Sequence, residues 1–200
     1  MVRKAISVAV ISLIFLSACN FSSIFGGSVK LINNSDGEVI ATMEGNESIT
    51  IPAGEESQMI SVDKDMIHNN RITVNLEGIY YEENTREYNV ADRISLNPDC
   101  GWIEITNNTD LPLTELSARN GGSIHSSQDF EASSIVSIEP GASFYMLITD
   151  FSSSLSLSFM ANGEQHDADI RFSEINAKAG KTAKAAITVS EDGTFMLSSL

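Results

Sequence analysis

The chain repeats itself in order. Val29-Lys30-Leu31-Ile32-Asn33-Asn34-Ser35-Asp36 matches Ile103-Glu104-Ile105-Thr106-Asn107-Asn108-Thr109-Asp110 at an offset of 74 residues. ITIPAGEESQMI over 49–60 matches VSIEPGASFYML over 136–147 at an offset of 87. Gly78 and Arg86 match Gly163 and Arg171 at 85, and ISLNPDCG over 94–101 matches ITVSEDG over 187–193. The offset grows from 74 to 87, so the second copy carries 87 − 74 = 13 extra residues. They fall within 119–134, RNGGSIHSSQDFEASS, which has the composition of an exposed loop. Such a repeat restricts the fold to one structural unit used twice, over about 29–99 and 100–200.

Each unit reads as strands. Val29-Lys30-Leu31, Ile72-Thr73-Val74-Asn75-Leu76, Ile103-Glu104-Ile105 and Leu155-Ser156-Leu157-Ser158-Phe159 alternate apolar with polar residues. That period of two places one row of side chains on a core and the other in water. Turn chemistry separates the runs at Pro52-Ala53-Gly54, Asn97-Pro98-Asp99, Pro140-Gly141 and Glu191-Asp192-Gly193. About seven short strands per copy is the number expected of a β-sandwich. The opening strand with its Asn-Asn-Ser/Thr-Asp turn resembles immunoglobulin-like modules of bacterial surface proteins, without the Cys-Trp-Cys constellation of antibody domains. The expectation is an all-β chain of two tandem immunoglobulin-like antiparallel β-sandwich repeats. The alternative is one larger sandwich or barrel built from both.

The first 19 residues, MVRKAISVAVISLIFLSAC, have a different pattern. Arg3 and Lys4 precede an apolar run from Ala5 to Leu16. As a helix, that run covers only about 18 Å at ~1.5 Å per residue, against roughly 30 Å of hydrocarbon, so a cleaved signal over 1–18 is the physical reading. It ends in Leu16-Ser17-Ala18-Cys19, which resembles the lipobox of bacterial lipoproteins. The resemblance implies fatty acylation of Cys19, cleavage after Ala18 and anchoring in the cell membrane or the outer membrane, outside the cytoplasm. Two or three acyl chains hold a protein stably at about 0.8 kcal/mol per buried methylene. Residues 19–28 are then the lipidated cysteine and a tether, whose Phe21, Ile24 and Phe25 are apolar enough to lie on the lipid interface or on the first repeat.

Charge narrows the partners. With 12 Lys+Arg against 27 Asp+Glu, the chain carries −15; losing Arg3 and Lys4 makes it −17. No cationic face is available for nucleic acid, and an anionic lipid surface repels such a body. The bilayer is met through Cys19, and the expected partner is an envelope protein or cell-wall glycan. After acylation of Cys19, Cys100 has no partner in the chain; it reads either as a small buried residue or as an exposed thiol.

Chemical motifs are sparse, and the reading is of a non-enzyme with no cofactor and no metal. Ser61-Val62-Asp63-Lys64 has the spacing of a Ser-x-x-Lys nucleophile, with Lys181-Thr182-Ala183 as an imperfect Lys-Thr-Gly. That chemistry needs the serine at a helix start, and Ser61 ends an expected strand. His166, Asp167 and Asp169 support an alternative, a metal-dependent ligand-binding or hydrolytic protein; on a strand, however, His166 faces away from both carboxylates. Tyr80, Tyr81 and Tyr88 form a candidate aromatic patch for carbohydrate or peptide, with His125 of the inserted loop as a further candidate contact. The simpler reading of the tyrosines is cross-strand packing with their hydroxyls in solvent.

Overall fold

A computed structural model describes residues 27–119, 122–129 and 135–200. The signal segment, Cys19 and the tether up to residue 26 lie outside them. The first repeat contains β1 (Gly27–Asn33), β2 (Val39–Met43), β3 (Ile49–Ile51), β4 (Ile60–Val62), β5 (Arg71–Glu77), β6 (Thr85–Asn89) and β7 (Arg93–Leu96), with one 3-10 turn at Lys64–Met66. The second contains β8 (Gly101–Asn107), β9 (Leu113–Ala118), β10 (Ser123–His125), β11 (Ser137–Ile138), β12 (Ser143–Ile148), β13 (Ser154–Ala161), β14 (Glu164–Arg171), β15 (Thr182–Val189) and β16 (Phe195–Ser199). No helix among the described residues is long and apolar enough to cross a membrane.

The first repeat has sheets ordered β4-β1-β7 and β3-β2-β5-β6; the second has β10-β12-β8-β15-β16 and β11-β9-β13-β14. None of these sheets closes into a barrel. Alternation decides which side chains meet between the sheets: β5 buries Ile72, Val74 and Leu76 and turns Arg71, Asn75 and Glu77 outward. Two apolar clusters result, one centred on Leu31, Val39, Ile51 and Val74, the other on Ile105, Leu113, Phe144 and Phe159. The chain is a pair of tandem sandwiches.

The sheets are not purely antiparallel. β1 pairs with β7 in parallel, and β8 with β15 likewise. In the first repeat, seven strands that alternate in direction make β1 and β7 run the same way, so the chain leaves that repeat pointed into the next. The parallel pairs also correct the sequence alignment. Leu96 stands opposite Asn33 as Ile187 stands opposite Asn107, so Ile94 corresponds to Ala185 and not to Ile187. A slip of two residues keeps the same face inward, and the apolar pattern cannot detect it. Arg86 and Arg171 are likewise not equivalent: Arg86 opposes Val74 within the β5–β6 hairpin, whereas Arg171 opposes Ser154 at the open end of its own.

Two elements of the second repeat lack a counterpart in the first. β16 covers the outer edge of β15, whereas β7 is an edge strand. β10 lies within 119–134 and adds to β12, so part of that segment is strand and not loop. Three residues are too few for alternation to register.

The turn shared by both copies is a hydrogen-bonded knot. Asn33 Nδ2 donates to the carbonyls of Gly37 (2.7 Å), Pro52 (3.0 Å) and Ile51 (3.1 Å), while its Oδ1 accepts from the Ser35 N–H (3.0 Å) and hydroxyl (2.7 Å). Asn107 does the same in the second repeat. It donates to Leu111 and Ile138 (both 2.9 Å) and accepts from the Thr109 N–H (3.1 Å) and hydroxyl (2.8 Å). Both asparagines are buried, and each ties its first strand to the strand across the sandwich.

Candidate functional site

Several of the residues singled out from sequence, among them Tyr80, Cys100 and His125, gather at the joint between the repeats. The joint is built from β8 and the segments flanking it. Trp102, the second residue of β8, is 1% exposed and belongs to the first repeat's apolar cluster together with Cys100 and Leu147. Its indole N–H donates to the Ile79 carbonyl (2.7 Å), and its backbone N–H to the Lys181 carbonyl (2.9 Å). Gly180 donates to the Cys100 carbonyl (2.8 Å) and accepts from the Asp36 N–H (2.7 Å). The Lys181 ammonium pairs with the Asp36 carboxylate. Gly180 has φ +76°, and a Cβ there would meet the Pro98 ring at 2.5 Å, so the close approach needs glycine.

Tyr80 and Tyr81 are struts of this joint. Both are buried, and neither hydroxyl reaches solvent in the way simple cross-strand packing suggested. Tyr80 Oη shares a hydrogen bond with Thr182 Oγ1 (2.7 Å), across 102 residues of sequence. Tyr81 Oη donates toward the Leu96 carbonyl (3.2 Å) and Asn33 Oδ1 (3.3 Å). Burial raises both phenols above their usual range, Tyr81 to about 12. Tyr88, on β6, is half-buried beside Arg86 and packs against the first repeat's apolar cluster. The three tyrosines therefore do not form one exposed patch. Large aromatic area is buried where it is most stabilising, and sequence spacing does not distinguish that from a contact surface.

His125 is buried as well. Its ring lies edge-on to Trp102, with centroids 5.1 Å apart and an interplanar angle of 75°. Three residues on, Gln128 Nε2 donates to Thr182 Oγ1 (2.9 Å). The inserted segment is therefore strapped over the joint at two points. This brings Asp129 to a depression of about 470 Å³ whose other walls are Glu77, Gly78, Ile79, Tyr81, Glu82 and Asn84. The far wall is held by Asp99, whose carboxylate accepts the backbone N–H groups of Glu82 (2.9 Å) and Glu83 (3.0 Å) and pairs with Arg86. Burial by itself would raise the Asp99 pKa; these donors and the Arg86 guanidinium outweigh it and hold the carboxyl below the usual carboxylate range. The Arg86 guanidinium lies over the Tyr81 ring, 5.2 Å from its centroid. Nothing in the local sequence pairs Asp129 with Glu82; the repeat offset pointed only to the insertion.

The remaining motifs are placed in structural roles. Ser61 lies in β4, with Lys64 in the 3-10 turn that follows, so Ser-x-x-Lys is not one turn of a helix. Lys181 and Thr182 belong to the joint. On β14, Asp167 forms a two-point ion pair with Arg119 (2.8 and 2.9 Å) and Asp169 accepts from Ser156. His166 turns the other way, onto Phe195 at 4.3 Å between centroids. Their side chains point to different partners, and the described residues contain no group of three or more His, Cys, Asp or Glu able to hold a metal ion.

Cys100 is fully buried, with Sγ 3.5 Å from the Ile79 carbonyl. Burial pushes its thiol up to about 12, with the Asp99 charge adding to the effect. Of the two readings open from sequence, the structure places Cys100 as the small buried residue. It is expected to resist maleimide under native conditions and to react fully in denaturant. Rapid labelling of the native protein would show that the joint opens.

Fold and site together define a tandem β-sandwich chain with a strapped joint and an acidic depression beside it. No protein-family model matches the chain, and no curated protein matches it. Among solved structures it is similar to the tip fimbrial protein Mfa3 from Porphyromonas gingivalis with C-terminal truncation, at 10% identity and TM-score 0.31, over 87% of this chain and 100% of that one. It is also similar to a candidate cell adhesion protein from Bacteroides fragilis, at 10% identity and TM-score 0.28, over 86% of this chain and 97% of that one. Similarities of this size assign no function.

Proposed function

We propose that the protein is a non-catalytic module of the bacterial envelope, lipid-anchored through Cys19, which presents the joint depression to another envelope protein. The observation that carries the binding role is the strapped insertion. It is the largest departure of one repeat from the other, and its fastening at His125 and Gln128 costs ordering entropy that a free loop would not. Preorganising a wall in this way favours binding, because less freedom is lost when a partner docks.

The chemistry of the depression supports a protein partner over a glycan. Ile79 provides apolar surface, and Glu77, Glu82 and Asp129 line the same hollow. A lysine or arginine on an extended segment satisfies both features, with the alkyl stem on the apolar surface and the cation among the carboxylates. A photo-crosslinking side chain at Asn84, inside the depression, is expected to capture an envelope protein in intact cells; the same probe at Asp192, on a turn outside it, is not. Equal capture at both sites, or none at Asn84, would count against the reading.

The anchor is tested separately. Cys19→Ser is expected to move the protein from the detergent phase to the aqueous phase, and the mass of the native protein to show a diacylglyceryl addition on residue 19. An unmodified thiol in native material would remove the anchor and leave the depression untouched.

A further inference from the structure

One arginine of the second repeat stands without a counter-charge. The described residues hold 12 − 2 = 10 Lys and Arg, the chain's total less Arg3 and Lys4. Seven of the ten form ion pairs. Arg171 does not: among the described residues its guanidinium has neither an ion-pair nor a hydrogen-bond partner. In a chain with 27 Asp and Glu, acids are not scarce, so the cause is where Arg171 sits. β14 turns Ala168 and Ile170 inward and Asp167, Asp169 and Arg171 outward. Arg119 takes Asp167, and the Ser156 hydroxyl takes Asp169.

Arg171, opposite Ser154 at the open end of the β13–β14 hairpin, borders a hollow of about 360 Å³ whose other walls are Phe151, Ser152, Ser153, Ser154 and Ser173. No carboxylate lines it, whereas hollows elsewhere on the surface carry Asp92, Asp36 or Glu38. Asp150, next along the chain, accepts the Ser152 N–H (2.9 Å) and is not one of the walls. Phe151 is half-buried and held against Phe172, with ring centroids 6.3 Å apart and an interplanar angle of 61°. One cation, four hydroxyl side chains and one fixed aromatic ring therefore border the same concave surface. Its volume lies toward the lower end of the roughly 300–1,000 Å³ of small-ligand sites, which suits a single small polar unit.

We infer that this hollow binds an acidic sugar, a hexuronic-acid unit of a glycan, with Arg171 on its carboxylate. A guanidinium donates two parallel hydrogen bonds to a carboxylate, and an unpaired one has both to give. Serine hydroxyls donate and accept, as the hydroxyls of a sugar require, and the Phe151 ring offers an apolar surface to the C–H side of a pyranose. Charge sets the class of anion. One guanidinium matches a single negative charge, whereas a doubly charged phosphate leaves one unmatched beside a chain that carries −15. The site lies wholly on the second repeat, so it stands whether or not the depression at the joint receives a protein.

The test uses the full-length protein in detergent micelles, labelled with 15N at arginine and serine. A hexuronate disaccharide is expected to shift the Arg171 Nε resonance and the Ser153 and Ser173 amides along one saturating curve. Arg119 Nε, whose guanidinium Asp167 already holds, should stay in place. The matching uncharged disaccharide and acetate should each bind about tenfold or more weakly, since one lacks the charge and the other the hydroxyls. Arg171→Gln is expected to weaken hexuronate binding by about tenfold or more, and Arg171→Lys to recover only part, because an ammonium makes no two-point contact. Arg171 is exposed, so both variants should melt as the parent does. Acetate or inorganic phosphate binding as tightly as the hexuronate would overturn the sugar assignment. Absence of a saturating shift, or one retained in Arg171→Gln, would overturn the site itself.

Discussion

Asn107→Ala is expected to lower the unfolding free energy by about 3 kcal/mol, and Asn33→Ala by at least as much. Each asparagine is buried, and its amide is the partner of two or three main-chain carbonyls and of a Ser or Thr N–H and hydroxyl. Alanine strands those groups, and each buried polar group without a partner costs about 1–3 kcal/mol, with water recovering part. At roughly 2–4 °C per kcal/mol for a chain of this size, the melting temperature should fall by about 10 °C. Aspartate should not rescue, because it keeps the acceptor, loses the donors and buries a charge. Denaturant titration followed by circular dichroism measures the change. A loss below about 1 kcal/mol would show that the knot is not what ties the strands across the sandwich.

Trp102→Ala is expected to cost about 3–5 kcal/mol, the usual range for removing a large buried aromatic side chain. The manner of unfolding should change as well. Trp102 sits on the second repeat's first strand but within the first repeat's apolar cluster, and it holds both the Ile79 carbonyl and the His125 ring. Deleting it removes the side chain that makes melting of one repeat costly to the other. A single calorimetric transition in the parent should separate into two in the variant. Trp102→Phe keeps most of the packing, loses the N–H donor and should cost distinctly less. As Trp102 is the sole tryptophan, these measurements use circular dichroism and calorimetry in place of fluorescence. One unbroken transition in Trp102→Ala would mean that the polar links, Lys181–Asp36 and Gly180–Cys100, suffice to couple the repeats.

The repeat and the period of two were legible because both are local. Alternation over five residues already says which side chains of β5 face inward, and a conserved offset says that the unit occurs twice. The Asn-Asn-Ser/Thr-Asp turn stood out in the same way, although only the structure shows why its first Asn and its Ser or Thr matter while Asn34 and Asn108 face solvent. Register was legible only in part: a shift of two residues leaves every apolar side chain on its own face, and the choice between Ala185 and Ile187 opposite Ile105 falls to backbone pairing. The tyrosines misled for a related reason. A Tyr pair before a turn reads equally well as a contact surface or as a strut, and the outcome for Tyr80 depends on Thr182.

What the amino-acid order determined unaided is an all-β chain made of one unit repeated, since strand, turn and facing each follow from neighbours a few residues apart. The joint came only with the tertiary structure. Tyr80 meets Thr182, Lys181 meets Asp36, and Gln128 of the inserted segment reaches the same threonine. Contacts between residues so distant along the chain have no periodic signature. They form because two sandwiches leave apolar ends that water disfavours, and the first repeat's apolar cluster takes in Cys100, Trp102 and Leu147 at the second repeat's end.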